Sequence, residues 1–347
     1  MKQTLFFFLF FISAVFAGTS FAQDLSNPGD YMTAISHAQT EMNQKYMIYM
    51  SATAHGRKAR KVEKLRQQAV ESIDNSRFKT VDLPIYKGDN TLRQSSIEYI
   101  KLCYNVFNDD YAKIVNMEDI AEQSFDEMQA FILLQEKTNE KINEAIDKMS
   151  VASKVFAAKY NVKIIDSRNE LSDKLNVAGK LNHYKNQVYL VFFKCYWQDG
   201  EIVKAMNAGK ITEAEQGRTS LIRYANEGLP ALDSLKNFAG DPSLANTCKR
   251  VLQFYKSLAD NDLPRQIDYF LKKENFEKVK KAFEAKSEED RNKKVVDAFN
   301  DGVKEINKAT NTYNDVNTKV NTGRNDALSK WNEAEKIFAD THMPYYK

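Results

Sequence analysis

Histidine and methionine are the residue types in this sequence most suited to metal binding or acid–base chemistry. No two of the four histidines stand at the helical spacing that metal ligands use; they are His37, His55, His183 and His342. We interpret each histidine as a surface or boundary residue. Methionine suits Cu(I), and four methionines lie near two of the histidines: Met32, Met42, Met47 and Met50. They do not share one narrow helical face, so we interpret them as flexible core residues.

The motifs of the common enzyme and cofactor classes are missing. The sequence has no Gly-rich phosphate loop, no G-x-S-x-G elbow, no H-E-x-x-H, no C-x-x-C and no E-x-x-H pair. Asp260-Asn261-Asp262 begins like a calcium loop, but Pro264 and Arg265 occupy the next ligand and glycine positions. We predict a non-enzymatic protein with no catalytic residue, no cofactor and no metal site. An enzyme that assembles its site from scattered residues is a further alternative.

Charge and cysteine content narrow the class of partner. The chain has 50 basic and 47 acidic residues, a balance that argues against nucleic acid as the partner. Three cysteines, Cys103, Cys195 and Cys248, leave at least one thiol unpaired within the chain. A chain of 347 residues can build a core without a disulfide framework. We expect buried free thiols with at most one disulfide bond, and the sequence does not say which two would pair.

Two local stretches have an unusual composition. The first is basic and surrounds Glu63: Arg57, Lys58, Arg60, Lys61, Lys64 and Arg66. It suits anionic lipid, polysaccharide or nucleic acid, although a solvated helix face is the simpler interpretation. The second is aromatic: Tyr184, Val188, Tyr189, Val191, Phe192, Phe193, Cys195, Tyr196 and Trp197. Such a helix is central in a bundle or buried in an interface, or it lines a pocket for a hydrophobic molecule.

The N-terminus has the build of a secretory signal peptide. Lys2 gives a positive start, residues 5–16 form an uncharged apolar run, and Ser20-Phe21-Ala22 supplies small residues before a cleavage site. We predict a signal peptide over residues 1–22 and a mature chain that begins at Gln23. The apolar run is shorter than the roughly 20 residues of a membrane span, and no nearby cysteine offers a lipid anchor. We therefore expect an exported protein: periplasmic, on the outer surface or secreted.

Glycine and proline are scarce, at 12 and 6 residues, which favours long helices with few turns. We predict an N-cap at Asn116 and a capping box at Thr212. Gly228 and Pro230 predict a helix break, and Asp241-Pro242 predicts a helix start. The predicted helices cover about 31–54, 57–78, 89–115, 116–160, 181–208, 212–228, 241–259, a shorter one from 264, and 287–340.

The second half of the sequence matches the first in two places. Gly88-Asp89-Asn90-Thr91-Leu92 corresponds to Gly240-Asp241-Pro242-Ser243-Leu244 at a shift of 152 residues, and apolar positions of the following helix correspond as well. In the closing helices a shift of 182 aligns the apolar residues. The difference of 30 residues predicts an insertion in the second copy around 264–300. Helical period alone also aligns amphipathic helices, but it does not explain the shared Gly-Asp break.

The last predicted helix carries apolar residues at alternating steps of three and four, the heptad pattern of coiled coils. The heptad positions are Val296, Phe299, Val303, Ile306, Thr310, Tyr313, Asn317, Val320, Arg324, Ala327, Trp331, Ala334 and Phe338. The fourth helix keeps similar steps from Met128 to Phe156. Polar residues at such positions fix register and partner at a cost in stability. Both a packed bundle and an intermolecular coiled coil agree with this pattern.

Two resemblances add to these patterns. The Phe-rich leader that ends in Ser20-Phe21-Ala22-Gln23 resembles those of exported helical proteins of Bacteroidota type. The ErpY-like surface protein family of spirochaetes is similar to this chain at the motif Asn27-Pro28-Gly29-Asp30-Tyr31, which is followed by a Gln-, Met- and Tyr-rich helix. Over most of the chain, the resemblance is one of general layout only. That resemblance implies a lipoprotein or surface protein with a binding role. The missing N-terminal cysteine departs from the lipoprotein pattern, and no functional residue can be carried over.

The sequence therefore predicts an all-α protein of two related antiparallel helical bundles that arose by internal duplication. Repeat 1 spans 24–165, and repeat 2 spans 175–345 with a long heptad-patterned C-terminal helix. The predicted function is a non-enzymatic, exported cell-envelope or secreted protein that binds a protein partner. The alternative is a carrier that holds a hydrophobic small molecule between helices. We expect no transmembrane span after signal cleavage, and the partner and oligomeric state are left open.

Overall fold

The computed structural model describes residues 25–107, 124–164 and 170–347. The predicted signal peptide and the predicted cap Asn116 lie outside these ranges. Within them the chain is all-α and contains no β-strand, and no helix has the length and apolar character to cross a membrane. The helices are α1 (Pro28–Ala54), α2 (Ala59–Val81), α3 (Thr91–Asn105), α4 (Phe125–Lys159), α5 (Glu170–Asn207), α6 (Ile211–Ser234), α7 (Ser243–Ser257), α8 (Leu263–Glu284) and α9 (Lys293–His342).

Several helix starts follow from the local sequence. Asn27 caps α1, because its Oδ1 accepts hydrogen bonds from the backbone N–H groups of Gly29 at 2.8 Å and Asp30 at 3.3 Å. Pro28 occupies the first turn of α1, where its missing N–H costs nothing. Pro264 plays the same part at the start of α8, as predicted.

Two predicted helix starts are wrong in position, and a third, Asn116, lies outside the described residues. The helix that ends at Lys159, α4, begins after Ser124, whose hydroxyl accepts the Glu127 N–H at 3.1 Å. Helix α6 already begins at Ile211, so Thr212 lies inside the helix and caps nothing. Helix α7 begins at Ser243, with Pro242 as the cap residue. Residue type identifies candidate caps, but tertiary packing decides which residue begins a helix.

The predicted break at Gly228 and Pro230 is also wrong, because both residues lie inside α6. A Cβ atom at Gly228 would stand 2.6 Å from Leu252 Cδ2 and 2.8 Å from Val191 Cγ1. Glycine is therefore required for close helix packing and not for a turn. Pro230 removes one backbone donor, yet the helix continues to the buried Leu232.

The chain groups into two compact units. Among the described residues, unit 1 contains 25–107, 124–164, 170–186 and 336–347, and unit 2 contains 187–335. Helices α5 and α9 each contribute residues to both units. This division differs from the predicted repeat boundaries, which concern sequence relatedness and stay a prediction.

The core of unit 1 includes a cluster of three rings that joins α1, the turn before α3, and α4. Tyr31 lies 5.0 Å from Tyr86 and 5.6 Å from Phe156, measured between ring centroids. Both tyrosine hydroxyls donate to backbone carbonyls, Tyr31 to Pro84 at 2.8 Å and Tyr86 to Ser26 at 2.7 Å. Each buried hydroxyl is thereby satisfied, so the rings can pack in the core without an unpaired polar atom.

The core of unit 2 is built on the aromatic stretch of α5. The Phe192 ring stacks on the fully buried Trp331 of α9, with centroids 4.2 Å apart and planes 9° from parallel. Helix α9 is one continuous helix of 50 residues, as predicted, although it begins at Lys293 and not at Ser287. Ser287 and Asp290 form the turn before it, where the Ser287 hydroxyl accepts the Asp290 N–H at 3.3 Å.

One piece of local geometry occurs in both halves at the shift of 152 residues. Lys87 and Gly88 have φ angles of +47° and +81°, and their counterparts Ala239 and Gly240 have +50° and +79°. These positive values belong to the left-handed region that favours glycine. Helices α3 and α7 follow, each with 15 residues.

The aspartate of each break acts in the same way. Asp89 Oδ1 accepts the Thr91 N–H at 3.0 Å, and Asp241 Oδ1 accepts the Ser243 N–H at 2.8 Å. In addition, Lys159 Nζ donates to Asp89 Oδ2 at 2.8 Å, and these hydrogen bonds lower the pKa of Asp89 to about 2. The aligned core positions are buried in both helices: Leu92 with Leu244, Tyr99 with Val251, Ile100 with Leu252, and Val106 with Leu258. These equivalences agree with a duplication, which stays a prediction.

Candidate interaction surface

Helix α8 and the first part of α9 form an antiparallel pair within unit 2. We define the arm as residues 268–308, which include most of α8, the connecting turn and the start of α9. Every residue of the arm is half-buried or exposed, and none is buried. Because a helix pair of this kind has no core beneath it, its apolar side chains are covered only by one another.

Polar contacts hold the base of the arm. Gln266 Nε2 donates to Asn317 Oδ1 at 3.1 Å, and Gln266 is almost fully buried. Lys319 Nζ contacts both carboxylate oxygens of the buried Asp262 at 3.0 Å. These contacts fix the register of α8 against α9 by directional hydrogen bonds, which apolar contacts alone do not provide.

Aromatic rings fill the interface between the two helices of the arm. Phe299 of α9 lies between Phe276 and Phe283 of α8, with centroid distances of 6.0 Å and 4.3 Å. A Cβ atom at Gly302 would lie only 3.2 Å from the Phe276 ring, so the small residue lets the helices approach closely. At the tip, the Arg291 guanidinium lies 4.6 Å above the Phe283 ring, a cation–π contact.

The outer face of the arm is mixed, and its exposed aliphatic residue is Leu271 of α8, which is 45% exposed. Val279 of α8 is 36% exposed but lies at the helix interface, since its Cγ1 is 3.7 Å from the place of an added Cβ at Gly302. An open groove of about 450 Å³ runs between the helices and is lined by Pro264, Arg265, Asp268, Lys272, Glu305, Lys308, Ala309 and Thr312. The Lys272 Nζ bridges Asp268 at 3.0 Å and Glu305 at 3.8 Å across this groove. A groove with such a charged lining suits contacts with a protein surface better than it suits an apolar ligand.

The structure places the four histidines in different surroundings. His37 is exposed on α1, and His183 contacts Glu136 at 3.2 Å. His342 packs its ring 4.5 Å from Phe338. His55 has the most deeply buried contact, since its side chain is 5% exposed and its Nδ1 lies 2.6 Å from Asp340. Among the described residues, no group of three His, Cys, Asp or Glu side chains is arranged to hold a metal ion.

The methionines of α1 are core residues, as predicted, since all four are buried. The exposed His37 lies on a different face of that helix. Asp260 and Asp262 lie in a π-helical turn and pair with Lys256 and Lys319. Those two carboxylates therefore already have lysine partners.

Most of the aromatic stretch of α5 is core, as the simpler interpretation predicted, while Tyr196 is 42% exposed. Tyr184, Tyr189, Phe192 and Phe193 are all buried. Tyr189 lies 5.7 Å from Phe193, so these rings pack on one another. The ring faces that would line a ligand pocket are thus occupied by neighbouring side chains.

All three cysteines are free and buried. Burial raises the pKa of Cys103 and of Cys195 to about 12. Burial, with a smaller contribution from Cys195, raises the pKa of Cys248 well above its usual range. Since the thiolate is the reactive species, these thiols are poor nucleophiles in the folded chain.

A buried ion pair in unit 2 was not predicted. Arg324 is one of the polar heptad positions of α9, and its guanidinium makes two hydrogen bonds of 2.7 Å to the Asp199 carboxylate. The Asp199 side chain is only 7% exposed. The sequence feature that could have indicated it is Asp199 itself, an acidic residue at the end of an otherwise aromatic helical stretch. This pair gives Arg324 a partner within its own chain.

No protein-family model, curated protein or solved structure matches this chain.

Proposed function

We propose that this chain is an exported, non-enzymatic protein of the cell envelope or the medium that binds another protein through the arm. The observation that carries the proposal is the exposure of the arm: over 41 consecutive residues, 268–308, no side chain is buried. The arm nevertheless contains three phenylalanines at its centre and the exposed aliphatic residue Leu271 on α8.

The two helices of the arm bury little apolar surface. Helices in proteins owe most of their stability to packing of an apolar face and little to intrinsic propensity. A pair that covers its rings only with each other gains less from burial than the helices of the bundle body. A partner that covers Leu271 would add buried apolar area, as exposed apolar groups rimmed by charge do at protein interfaces.

The sequence supports three further parts of the proposal: a coiled coil in the arm, an internal duplication, and export. The heptad steps from Val296 to Ile306 support a short coiled coil in the arm, and the predicted insertion around 264–300 coincides with it. On this view the arm is what the second repeat adds to a duplicated bundle. The resemblance to the ErpY-like surface protein family and the signal-peptide pattern support export and a binding role.

The carrier hypothesis has weaker support. It needs an apolar cavity beside residues 184–197, and there the aromatic side chains pack against one another and against Trp331. The groove of about 450 Å³ at the base of the arm is lined largely by charged residues. A hydrophobic ligand would leave those charges poorly solvated, which opposes binding.

The experiment compares a substitution on the outer face of the arm with a matched substitution elsewhere. The arm variant carries Leu271→Glu. The control variant carries Val151→Glu, at an exposed valine of α4 in unit 1. Because both side chains are exposed, we expect both variants to keep the helical circular dichroism of the wild type.

The readout is chemical crosslinking in the native envelope, followed by mass spectrometry of the crosslinked peptides, and sedimentation of the purified chain. We expect crosslinks from arm lysines to one partner protein, or to a second copy, that disappear in the arm variant and persist in the control. Equal crosslinking by both variants would contradict the proposal. The pair Phe299→Asp and Ile306→Asp tests the interior of the arm in the same assay.

A further inference from the structure

The turn between α1 and α2 concentrates positive charge at one end of unit 1. Gly56, with φ of +66°, ends the tight turn after α1 and directs the chain into α2. Five basic side chains that follow it are exposed: Arg57, Lys58, Arg60, Lys61 and Lys64. We call these five residues the basic turn. Arg57 and Lys58 lie in the turn, and Arg60, Lys61 and Lys64 lie on one side of α2 at helical spacing, so the five exposed charges form one basic surface.

The positive charge of the basic turn is not neutralised within the described part of the chain. Its one acidic neighbour in sequence, Glu63, is held by Arg66, whose Nε and Nη2 donate to the two carboxylate oxygens at 3.0 Å and 2.8 Å. No described carboxylate forms an ion pair with any of the five residues. Five cations exceed the formal net charge of the whole chain, which is +3.

The start of α2 adds to this positive potential. Lys58 is the N-cap residue of α2 and makes no side-chain cap hydrogen bond, although its carbonyl accepts the Lys61 N–H at 2.8 Å. The unsatisfied N–H groups of a helix start carry a partial positive charge. Elsewhere in the chain, α1 and α4 begin with side-chain caps from Asn27 and Ser124.

An aromatic ring lies beside the basic turn. Tyr345, near the C-terminus, is 59% exposed and stacks on His55 with centroids 3.5 Å apart and planes 6° from parallel. Arg57 is close enough to act electrostatically on the Tyr345 hydroxyl. The nearby acid, Asp340, is engaged by His55 at 2.6 Å and accepts from the Tyr345 hydroxyl at 3.3 Å. The ring is thus held at the edge of the charged surface.

We propose that the basic turn docks this protein on the anionic headgroups of a phospholipid membrane. Exposed cations spread along a turn and one side of α2 match a surface of many separate negative charges, whereas a single small anion needs side chains that surround one point. An exposed tyrosine at the edge suits the headgroup region, where amphipathic rings accumulate. Residues 57–66 contain no aromatic side chain, and the single ring of Tyr345 is not the series of rings on which successive bases stack, which disfavours single-stranded nucleic acid. This inference does not depend on the arm.

The test uses the mature chain from Gln23 and vesicles of phosphatidylcholine with and without phosphatidylglycerol. The turn variant replaces all five residues of the basic turn with glutamine. The control variant replaces five exposed lysines of the arm with glutamine and so changes the net charge equally: Lys273, Lys281, Lys286, Lys293 and Lys294. Circular dichroism verifies that both variants are folded.

We expect the wild type and the control to co-sediment with the anionic vesicles and not with the neutral ones, with binding that weakens as salt rises. The turn variant should lose at least about tenfold in affinity, since each basic residue near an anionic membrane contributes about 1 kcal/mol. An equal loss in the control variant would show a net-charge effect only and overturn the proposal. Absence of vesicle binding by the wild type, or binding only to a soluble polyanion such as heparin or single-stranded DNA, would overturn it as well.

Discussion

At the scale of single residues, the polar positions of the heptad pattern find partners inside the chain. Arg324 is paired with Asp199 by two short hydrogen bonds, and Asn317 accepts from Gln266. A polar residue at such a position either selects a partner helix of another chain or fixes packing within one chain. Here the second role is fulfilled for both residues. In the arm, the heptad residue Phe299 also packs within the chain, between Phe276 and Phe283 of α8.

Removal of one partner of the buried pair should destabilise unit 2 strongly. Arg324→Ala leaves the Asp199 carboxylate buried without its cation, and we expect a loss of about 3 kcal/mol or more in the free energy of unfolding. Urea unfolding followed by circular dichroism measures this loss. The exposed pair of Lys272 and Glu305 provides the control, since Lys272→Ala should cost less than about 1 kcal/mol.

The double variant Arg324→Met with Asp199→Leu separates pairing from burial. Because both charges are then removed together, we expect it to be more stable than Arg324→Ala alone. If Arg324→Ala unfolds at the same urea concentration as the wild type, the ion pair contributes nothing and the assignment is wrong.

At the scale of helices, glycine has two distinct roles in this chain. Gly56, Gly88, Gly209 and Gly240 have positive φ angles in turns. Gly217, Gly228 and Gly323 instead lie inside helices, where neighbouring side chains occupy the space that a Cβ would need. Gly323 of α9 faces Phe254 of α7, and a Cβ atom at Gly323 would stand 2.6 Å from Phe254 Cε2. Close approach of helices therefore depends on these positions.

Alanine at these helical glycines should be destabilising despite its higher helix propensity. We expect Gly228→Ala and Gly323→Ala each to lower the free energy of unfolding by about 1–3 kcal/mol, the usual cost of overpacking a core. Gly200 is the matched control: it lies inside α5, is exposed, and has no atom within 4 Å of an added Cβ. Gly200→Ala should stabilise by about 0.5–1 kcal/mol.

Thermal unfolding of the three variants measures both effects. A stabilised Gly228→Ala or Gly323→Ala variant would mean that the neighbouring side chains move aside at little cost.

At the scale of the whole molecule, both proposed interactions concern the exported, mature chain. The leader pattern and Ser20-Phe21-Ala22 predict cleavage before Gln23. Mass spectrometry of the native protein should find Gln23, free or cyclised, at the N-terminus. A native protein that retains Met1 would contradict the signal-peptide prediction, and its location would then have to be established by fractionation.

The sequence by itself was enough to predict the all-α class, most helices, a helix with Pro264 in its first turn and the continuity of α9. Helical periodicity, capping residues and the scarcity of glycine and proline are local properties, and local properties determine where helices form. For the same reason the sequence predicted that the methionines of α1 and the aromatic stretch of α5 are core. It also singled out the segment in which the arm lies.

Tertiary structure alone decided the features that depend on residues far apart in the chain. Gly228 and Pro230 predicted a break, but packing against Leu252 and Val191 keeps α6 continuous. The role of Arg324 in the ion pair depends on Asp199, which lies 125 residues away in the sequence. The charge of the basic turn stays exposed because, within the described ranges, the fold pairs no acidic side chain with it, and Arg66 holds the adjacent Glu63. A buried contact depends on which helices meet, and a single-residue propensity carries no information about that.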